Sequence, residues 1–336
     1  MNVTTDMAAK RAELSPSKPA FTDVETGRIY TFSDINELAE GAAEGFAAMG
    51  LGEGDRIAIL CHNRVEFFIT LFACQKAGLI LIPLNWRQPA VELAPLVDLS
   101  RPRLILHDDA FATVAKTLAA DAGIPRMTIA CDEPGALRFE DLGRTRTALR
   151  RPIDPDRPWY LLYTSGTTGL PKAVIQTARM ALANMVNIGQ AVDLVSTDVS
   201  VNFLPLFHTG GVNLYTMPLF LAGGMSFILR KFDADKAFEL IEAGSVTQFF
   251  GVPAIYQAFQ LHPRIDAIDL SHVKAWGCGG APLPLPVIRF FADRGALIRA
   301  GFGMTETGPT VFLQDAASVL TKIGSVGKPW LLADVM

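Results

Sequence analysis

Residues 163 to 174 read YTSGTTGLPKAV and concentrate hydroxyl groups, glycines and one lysine in a single short stretch. Gly166 and Gly169 let the backbone adopt positive φ and approach a ligand closely, so that consecutive amide groups can form an anion-binding nest. Lys172 adds a mobile positive charge. The hydroxyl donors are those of Thr164, Ser165, Thr167 and Thr168. This set of donors predicts a loop that binds phosphate oxygens.

Two other motifs of similar composition do not match this loop. A P-loop requires GxxxxGK followed by Ser or Thr, whereas GTTGLPK is followed here by Ala173. A nucleophile elbow requires GxSxG, whereas residues 163 to 167 read YTSGT. Ser165 is therefore a poor candidate for a covalent nucleophile. A polar turn that binds nothing is the remaining alternative to a phosphate site.

The segments around the loop alternate between strand and helix patterns. WYLLY at 159 to 163 is typical of a buried strand, so the loop begins at the carboxyl end of a strand, where ligands collect in open α/β sheets. Upstream, RIAIL, VEFFITLFACQKAG and LILIPL predict the order β, α, β. Further strand patterns are RLILH, MTIA, VSVNFL, MSFIL, VTQFF and VKAWG. Continuous apolar strands between helices predict an α/β fold with largely parallel sheets that are covered on both faces.

Two further segments each predict a local structural feature. Ser33 is expected to cap a helix that ends at Gly50. The apolar positions at helical spacing are Ile35, Leu38, Ala42, Phe46 and Met49. The segment 143 to 158 is rich in arginine and proline, which predicts an exposed, solvated linker. Attraction of phosphate-bearing ligands is the weaker alternative for these arginines.

Length, charge and cysteine content narrow the class of protein. The chain has 336 residues of which 50% are hydrophobic, which predicts at least two packed α/β lobes. A net charge of -4 without a basic block argues against nucleic acid and anionic lipid and favours a small-molecule partner. The four cysteines form no CxxC pair, and the amino terminus has no signal-peptide pattern. We therefore expect a reduced, cytoplasmic protein without disulfides or structural zinc.

One uncharged stretch, VNLYTMPLFLAGGMSFIL at 212 to 229, is long enough to span a membrane. Pro218 and the pair Gly223 and Gly224 interrupt it, which predicts a buried helix, a turn and a short strand instead. We therefore expect no membrane span.

Several segments resemble motifs of the acyl-adenylate-forming enzymes, the family of acyl-CoA synthetases, nonribosomal peptide adenylation domains and beetle luciferases. YTSGTTGLPKAV resembles the signature loop of that family. The other matching segments, in the order of the family, are EGDRIAILCHN, AGLILIPLNWR, LPLFHTGG, GGAPLP, GFGMTETG and GSVGKP. The resemblance runs from about residue 20 to the end of the chain. It implies the amino-terminal adenylate-forming domain, with two largely parallel sheets and helices on their faces in αβαβα layers.

The resemblance also implies a domain organisation. Residues 1 to 320 would form the amino-terminal α/β domain, and residues 321 to 336 would begin a β-barrel subdomain. Within the large domain, one lobe would comprise roughly residues 50 to 190. The other lobe would combine residues 1 to 49 with residues 195 to 320.

Members of this family join a carboxylate to the α-phosphate of ATP, release pyrophosphate and pass the acyl group to a thiol or another acceptor. The resemblance implies that the opening loop binds the β- and γ-phosphates through Thr164, Ser165, Gly166, Thr167, Thr168, Gly169 and Lys172. Phe302, between Gly301 and Gly303, would stack on adenine where the family usually has tyrosine. Thr305 would contact the α-phosphate. Glu306 would ligate Mg²⁺ together with Thr164.

The acyl and acceptor sites are implied by two further segments. Residues Gly279, Gly280, Ala281 and Pro282 would line the adenine and acyl pockets, and Cys278 before them is expected to be a small buried residue. His208 would lie at the mouth of the acyl pocket and swing between the adenylation and thioester steps, with a buried core histidine as the alternative. Amino-acid-activating relatives typically carry aspartate there, so His208 disfavours an amino acid. Gly210, Gly211 and their apolar surroundings favour an aliphatic or aromatic carboxylic acid.

The resemblance thus implies an ATP-dependent acyl-CoA synthetase that uses ATP, Mg²⁺ and coenzyme A. An acyl-AMP ligase that loads a carrier protein, and a catalytically silent nucleotide- or acyl-binding module, are the alternatives. In relatives the ribose-binding aspartate, the hinge, the mobile carboxy-terminal domain and its lysine follow the segment GSVGKPWLLADVM. We therefore expect impaired ligation by this chain. We also expect an exposed apolar face where the barrel would pack, with association into a homodimer as one outcome.

Overall fold

The computed structural model describes residues 5–134, 136–145, 152–164 and 171–335 and divides the chain into two compact units. Unit 1 comprises Met1–Pro19, Ile29–Arg179 and Pro205–His208; unit 2 comprises Ala20–Arg28, Met180–Leu204 and Thr209–Met336. Each unit contains a mostly parallel β-sheet with helices packed on it, as the strand and helix alternation predicts.

The regular elements follow the predicted alternation. The helices are α1 (Met7–Leu14), α2 (Phe32–Ala48), α3 (Val65–Ala77), α4 (Ala90–Ser100), α5 (Ala112–Ala122), α6 (Ala178–Ala191), α7 (Thr216–Ala222), α8 (Ala234–Glu242), α9 (Pro253–Gln260) and α10 (Leu285–Ala292). The strands are β1 (Pro19–Asp23), β2 (Ile29–Thr31), β3 (Arg56–Leu60), β4 (Ile80–Pro83), β5 (Leu104–His107), β6 (Arg126–Thr128), β7 (Leu137–Arg138), β8 (Pro158–Thr164), β9 (Lys172–Thr177), β10 (Val199–Asn202), β11 (Met225–Ile228), β12 (Gln248–Gly251), β13 (Ala275–Cys278), β14 (Ile298–Gly303), β15 (Thr310–Leu313) and β16 (Lys328–Pro329). Each predicted strand pattern overlaps one of these strands.

The sheet of unit 1 has the strand order β7-β6-β5-β3-β4-β8-β9. Its described pairings are parallel except for β8 with β9, which is antiparallel. The chain passes from β3 to β4 on one side and returns to β5 on the other side of β3. The carboxyl ends of β3 and β5 therefore form a topological switch point, the position at which open α/β sheets bind ligands.

The sheet of unit 2 includes the order β16-β15-β14-β13-β12-β10-β11-β1. The described pairings from β1 to β14 are parallel, whereas β15 runs antiparallel to both β14 and β16. Aromatic side chains dominate the core on one face, where Phe249 contacts the rings of Trp276, Tyr256 and Phe259. Burial of such large rings supplies much of the hydrophobic stabilisation of a sheet and helix layer.

Helix α2 corrects two sequence predictions. Its cap is Thr31 rather than Ser33, because the Thr31 side chain accepts a hydrogen bond from Asp34 N at 3.1 Å and Asp34 Oδ2 accepts one from Thr31 N at 2.9 Å. Gly50, with φ +80°, follows the helix end as expected. Since α2 packs on α3, residues 29–49 lie in unit 1, and not in the lobe that the resemblance implied for them.

The uncharged stretch 212 to 229 divides as predicted into α7, a turn at Gly223 with φ 90° and strand β11. Among the described residues, no helix is long and apolar enough to cross a membrane. The arginine-rich linker is anchored at both ends. Arg144 pairs with Asp34 at 2.7 Å and Arg157 donates to the Gln75 carbonyl at 2.6 Å, while residues 146–151 lie outside the described part.

Candidate functional site

The phosphate-binding loop predicted from the sequence connects β8 and β9 in unit 1. Thr164, the last residue of β8, pairs with Lys172, the first residue of β9, in the antiparallel pair that these two strands form. The side chain of Lys172 is exposed. Because β8 is parallel to β4, Thr164 lies at the carboxyl end of the parallel strands. The remaining predicted donors, Ser165, Gly166, Thr167, Thr168 and Gly169, lie outside the described residues.

Two aromatic residues of β8 hold the base of this hairpin. Trp159 is buried, and its indole N–H donates to the Leu71 carbonyl at 2.7 Å. Tyr163 donates from its hydroxyl to the Leu96 carbonyl at 3.3 Å. Rings with one apolar body and one hydrogen-bonding group can anchor a strand in this way without an unpaired polar atom. The strand that leads into the loop is thus rigidly placed in its sheet.

His208 belongs to unit 1 together with the short segment Pro205–His208. The backbone N–H of His208 donates to the Pro205 carbonyl at 3.1 Å, which closes a turn. The N–H of Leu206 in this turn donates to Asn63 Oδ1 at 3.2 Å, and both residues are buried. The His208 side chain is accessible to solvent although neighbouring groups partly desolvate its ring, so its alternative interpretation as a core histidine is not supported.

Aromatic and cationic groups surround the His208 turn. The Phe207 ring lies 5.4 Å from the His208 ring and meets the Trp86 indole edge-on at 6.0 Å. The Arg87 guanidinium lies 5.1 Å from the Trp86 ring and 5.9 Å from the Phe207 ring. Desolvation lowers the pKa of His208 below its usual value, and repulsion by the Arg87 charge lowers it further. The imidazole is therefore neutral at pH 7.

His62 and Asp108 lie at the switch point of the sheet, and the His62 ring is in contact with Trp86. His62 follows β3 and Asp108 follows β5, and the backbone N–H of His62 donates to Asp108 Oδ2 at 3.0 Å. The His62 ring contacts the Trp86 ring at 4.9 Å. Burial raises the pKa of Asp108, but the hydrogen bonds of His62 and the charge of Arg64 outweigh it and hold this pKa below the usual range.

The sequence interpretation assigned no role to His62, Asn63, Trp86, Arg87 or Asp108. All five lie just after the carboxyl ends of the neighbouring strands β3, β4 and β5. The sequence does show polar residues directly after buried strands, which is the pattern that could have indicated these five. The pattern points to a site only when the strand order is known, because the order identifies which strand ends meet at the switch point.

In unit 2, strand β14 presents the predicted adenine-stacking residue. Phe302 is 46% exposed, and its ring contacts Phe312 of β15 edge-on at 6.1 Å. The neighbouring glycines are sterically required. A Cβ on Gly301 would lie 2.9 Å from the Leu313 side chain, and a Cβ on Gly303 would overlap the Pro309 carbonyl. Glycine at both positions thus lets β15 pack directly against β14 while the ring of Phe302 faces outward.

Thr305 and Glu306 follow in a single 3₁₀ turn, Thr305–Thr307. Thr307 closes the turn, because its hydroxyl accepts from Met304 N at 2.9 Å. The Glu306 carboxylate is exposed. Among the described residues, no group of three or more His, Cys, Asp or Glu side chains could hold a metal ion. One exposed carboxylate nevertheless fits Mg²⁺ that is carried by nucleotide phosphates, since such ions use one or two carboxylates and keep several waters.

The glycine-rich segment Gly279–Pro282 follows β13 and is close to bulky side chains. A Cβ on Gly279 would lie 3.1 Å from the Phe250 ring, and Gly280 has φ +83°. A larger residue is therefore disfavoured by the close Phe250 ring at position 279 and by the positive φ at position 280. Cys278 before them is buried as expected, and burial raises the pKa of its thiol to about 12. All four cysteines are free thiols.

The predicted site residues fall in both units. Thr164, Lys172 and His208 belong to unit 1, whereas the segments 279–282 and 301–306 belong to unit 2. Within unit 2, Phe302 also borders a cavity of about 460 Å³ together with helix α6, strand β15 and the segment 332–335. The described residues that the sequence predicts to bind phosphate are thus carried by unit 1, and the exposed Phe302 ring and Glu306 carboxylate are carried by unit 2.

Comparison with known proteins finds relatives over almost the whole chain. The family model described as AMP-binding enzyme matches residues 8–336. A feruloyl-CoA synthase from an Amycolatopsis species is 34% identical over 330 residues, which cover 97% of this chain and 64% of that enzyme. An indoleacetate–CoA ligase from Aromatoleum aromaticum is 32% identical over 331 residues, which cover 95% of this chain and 63% of that enzyme. The chain therefore spans a little under two thirds of the length of these relatives.

A solved structure is also similar over nearly the whole chain. It is an inhibitor-bound crystal structure of the N-terminal domain of FACL13 from Mycobacterium tuberculosis. The TM-score is 0.87 at 25% sequence identity, and the match covers 97% of this chain and 81% of that domain. The fold of two mostly parallel sheets is thus that of an amino-terminal domain in this group of proteins.

Proposed function

The chain belongs to the AMP-binding enzyme family, and we propose that it is the large amino-terminal part of an ATP-dependent acyl-CoA synthetase. The reaction joins a carboxylic acid to the α-phosphate of ATP, releases pyrophosphate and then forms a thioester with coenzyme A. The half-exposed Phe302 ring, followed directly by the Thr305–Thr307 turn with its exposed carboxylate, is the observation that carries this proposal. It offers a stacking surface for a nucleotide base and a ligand for its metal ion on one short segment.

Electrostatics governs the first step. ATP and a carboxylate are both anionic, so their approach requires donors and positive charge at the phosphates. The exposed Lys172 and the hydroxyl-rich loop before it supply these groups, and Thr305 contacts the α-phosphate. Glu306 and Thr164 would hold Mg²⁺, which when bound neutralises phosphate charge. With that repulsion reduced, a carboxylate oxygen can attack the α-phosphorus in line while pyrophosphate leaves.

The second step needs an acceptor thiol near the acyl group. His208 is neutral at pH 7, so its ring can accept a hydrogen bond from a thiol and change orientation without moving a charge out of water. The turn 205–208 sets its position. An aliphatic or aromatic carboxylic acid is the proposed acyl substrate, and the relatives named for feruloyl and indoleacetate substrates support the aromatic choice.

Acid-dependent exchange of labelled pyrophosphate into ATP tests the proposal. We expect exchange that depends on Mg²⁺ and on an added aromatic acid. ATP binding without any acid-dependent exchange would support a silent nucleotide-binding module instead. Competition between coenzyme A and a carrier protein for the acyl-adenylate would identify the acceptor. Cytoplasmic location stays a prediction.

Self-association also stays a prediction. Several large apolar side chains near the end of unit 2 are exposed, namely those of Leu320, Ile323, Leu331, Leu332 and Val335. Exposed apolar side chains of this size favour contact with another apolar surface. Sedimentation of the purified chain at several concentrations would show whether it forms a homodimer.

A further inference from the structure

Two buried asparagines join helix α6 to strand β15 in unit 2. Asn184 and Asn187 are three positions apart, so their side chains lie on the same face of α6. Asn184 Oδ1 accepts from the Thr310 N–H at 3.3 Å, and Asn187 Nδ2 donates to the Thr310 carbonyl at 3.4 Å. Both backbone hydrogen-bonding groups of Thr310, the first residue of β15, are therefore held by α6.

Thr310 directly follows the loop that contains the 3₁₀ turn Thr305–Thr307. The Thr307 hydroxyl donates to the Pro309 carbonyl at 2.6 Å, and the backbone N–H of Met304 donates to the same carbonyl at 3.2 Å. These two bonds close the loop on itself just before β15. A displacement of the turn therefore also displaces Thr310.

The segment after His208 contains a single turn of π-helix, Gly210–Leu214. In a π-helix each carbonyl accepts from the N–H five residues later. Continuation of this pattern would pair the Asn213 carbonyl with Pro218, which has no N–H. The amide nitrogen of Asn184 donates to the Asn213 carbonyl. A side chain of α6 thus supplies a donor that the π-helical pattern cannot supply.

Two further side-chain hydrogen bonds hold this π turn. Asn202 Nδ2 donates to the Gly211 carbonyl at 2.7 Å, and Asn213 Nδ2 donates to the Thr209 hydroxyl at 3.1 Å. Asn202 and Asn213 are buried, so water does not replace a bond that is lost there. The π turn therefore depends on side-chain partners, and an ordinary α-helical turn is its alternative.

We propose that Asn184 is a positioning residue that couples the Thr305–Thr307 turn to the π turn at 210–214. One amide serves both segments, because its oxygen binds the backbone of Thr310 and its nitrogen binds the backbone of Asn213. A nucleotide that fixes the Thr305–Thr307 turn also fixes Thr310, and the Asn184 amide then holds the π turn. The inference rests on the proposed function, because it assumes that the Thr305–Thr307 turn meets a nucleotide.

The coupling concerns the second step of the proposed reaction. The π turn begins two residues after His208, which is proposed to act when the thioester forms. Nucleotide binding then orders the segment that follows His208 before the acceptor thiol arrives. Asn184 touches neither substrate in this proposal and acts only through the two backbone segments that it binds.

Hydrogen exchange of the backbone amides at 209–215, measured by mass spectrometry with and without ATP and Mg²⁺, tests the coupling. We expect ATP to slow exchange of this segment by about 5-fold or more in the wild type, from the lower end of the usual range of coupling between sites. Asn184→Ala should abolish the slowing, because it loses both bonds. Calorimetry gives the ATP affinity of each variant, so that exchange is compared at equal saturation.

Two matched controls each remove a buried asparagine that holds only one of the two segments. Asn187→Ala loses the bond to the Thr310 carbonyl and keeps Asn184. Asn202→Ala loses the bond to the Gly211 carbonyl and also keeps Asn184. Both variants should retain the slowing of exchange by ATP, whereas a purely structural role of buried asparagines predicts the same loss in all three.

Asn184→Asp separates the two bonds of this residue. Its ionised side chain keeps an oxygen for the Thr310 N–H but has no donor for the Asn213 carbonyl, so it should lose the slowing of exchange. It also provides the test if Asn184→Ala does not fold. The inference is overturned if ATP binds to the wild type without slowing exchange at 209–215, if Asn184→Asp retains the slowing, or if Asn187→Ala loses it. Absence of ATP binding by the wild-type chain would reject the proposed function itself.

Discussion

Asn63 and Leu206 are joined by a hydrogen bond of 3.2 Å between the amide oxygen of the first and the backbone N–H of the second. The bond links Asn63, which follows β3, to the turn that ends at His208. Because both residues are buried, water cannot replace the acceptor if it is removed. The orientation of His208 therefore depends on a side chain that lies 143 positions before Leu206 in the chain.

Replacement of Asn63 by alanine is expected to destabilise unit 1 by about 1–3 kcal/mol, since a buried N–H loses its acceptor. It should also raise the pKa of His208 toward the usual histidine value, because the ring would move away from the Arg87 charge and from the groups that partly desolvate it. Urea unfolding and NMR titration of the histidine signals measure the two effects. Asn36→Ala removes another buried asparagine of unit 1 and is the control. An unchanged His208 pKa in Asn63→Ala would contradict the positioning role.

Asp108 is expected to make stability depend on acid pH. Its pKa is lower in the folded protein than in the unfolded chain, so the unfolded state binds more protons as the pH falls. The stabilisation is complete above the unfolded pKa of about 3.9 and is lost as the pH falls through the lower, folded value. Urea unfolding between pH 6 and pH 3 should give a flatter dependence for Asp108→Asn than for the wild type. Asp109→Asn, at an exposed neighbour, controls for the change in net charge, and equal slopes in Asp108→Asn and the wild type would disprove the prediction.

Lys172→Ala is expected to weaken ATP binding by about tenfold, because the variant loses a charge at the phosphate loop. Glu306→Gln should reduce the dependence of that binding on Mg²⁺, since an amide is a poorer ligand for this ion. Calorimetry with and without Mg²⁺ measures both. Lys116→Ala removes an exposed lysine from α5 in the same unit and should bind ATP as the wild type does. Unchanged affinity and Mg²⁺ dependence in the two site variants would refute the site assignment.

Phe302→Ala should weaken ATP binding by about 2- to 13-fold, the range for loss of one stacking interaction. Phe302→Tyr keeps the ring and should bind ATP like the wild type, because stacking needs the aromatic face and not the phenol hydroxyl. Calorimetry measures the ATP affinity of both variants. A loss of affinity in Phe302→Ala alone would be due to the missing ring, whereas a loss in both would indicate a disturbed strand β14. Equal weakening in both variants would argue against stacking.

Cys278 is expected to resist alkylation in the folded protein. Its thiol is buried and its pKa is raised to about 12, so almost no thiolate is present at pH 8. Cys61 and Cys74 are also buried, whereas Cys131 is partly exposed and should react first. Iodoacetamide labelling followed by peptide mass spectrometry gives the order of reaction. Rapid labelling of Cys278 in the native state would show that the glycine-rich segment opens in solution.

The strands and the signature segments could be predicted from the sequence because their signals are local. Buried parallel strands are continuous apolar runs, and RIAIL at 56–60 is buried at four of its five positions. Turn glycines such as Gly50 and Gly223 mark helix ends through their positive φ. The cap of α2 was predicted two residues too late, since Ser33 and Thr31 are both good caps and only the backbone conformation chooses between them.

By itself the sequence determined the fold class, the alternation of strands and helices and the chemical types present in the phosphate loop and in GFGMTETG. These properties depend on residues that are neighbours in the chain. Tertiary structure alone decided that α2 packs with unit 1 and that Asn63 holds the His208 turn. The physical reason is that these contacts join residues that are not neighbours in the chain, from different helices in the first case and 143 positions apart in the second. No local pattern encodes either property.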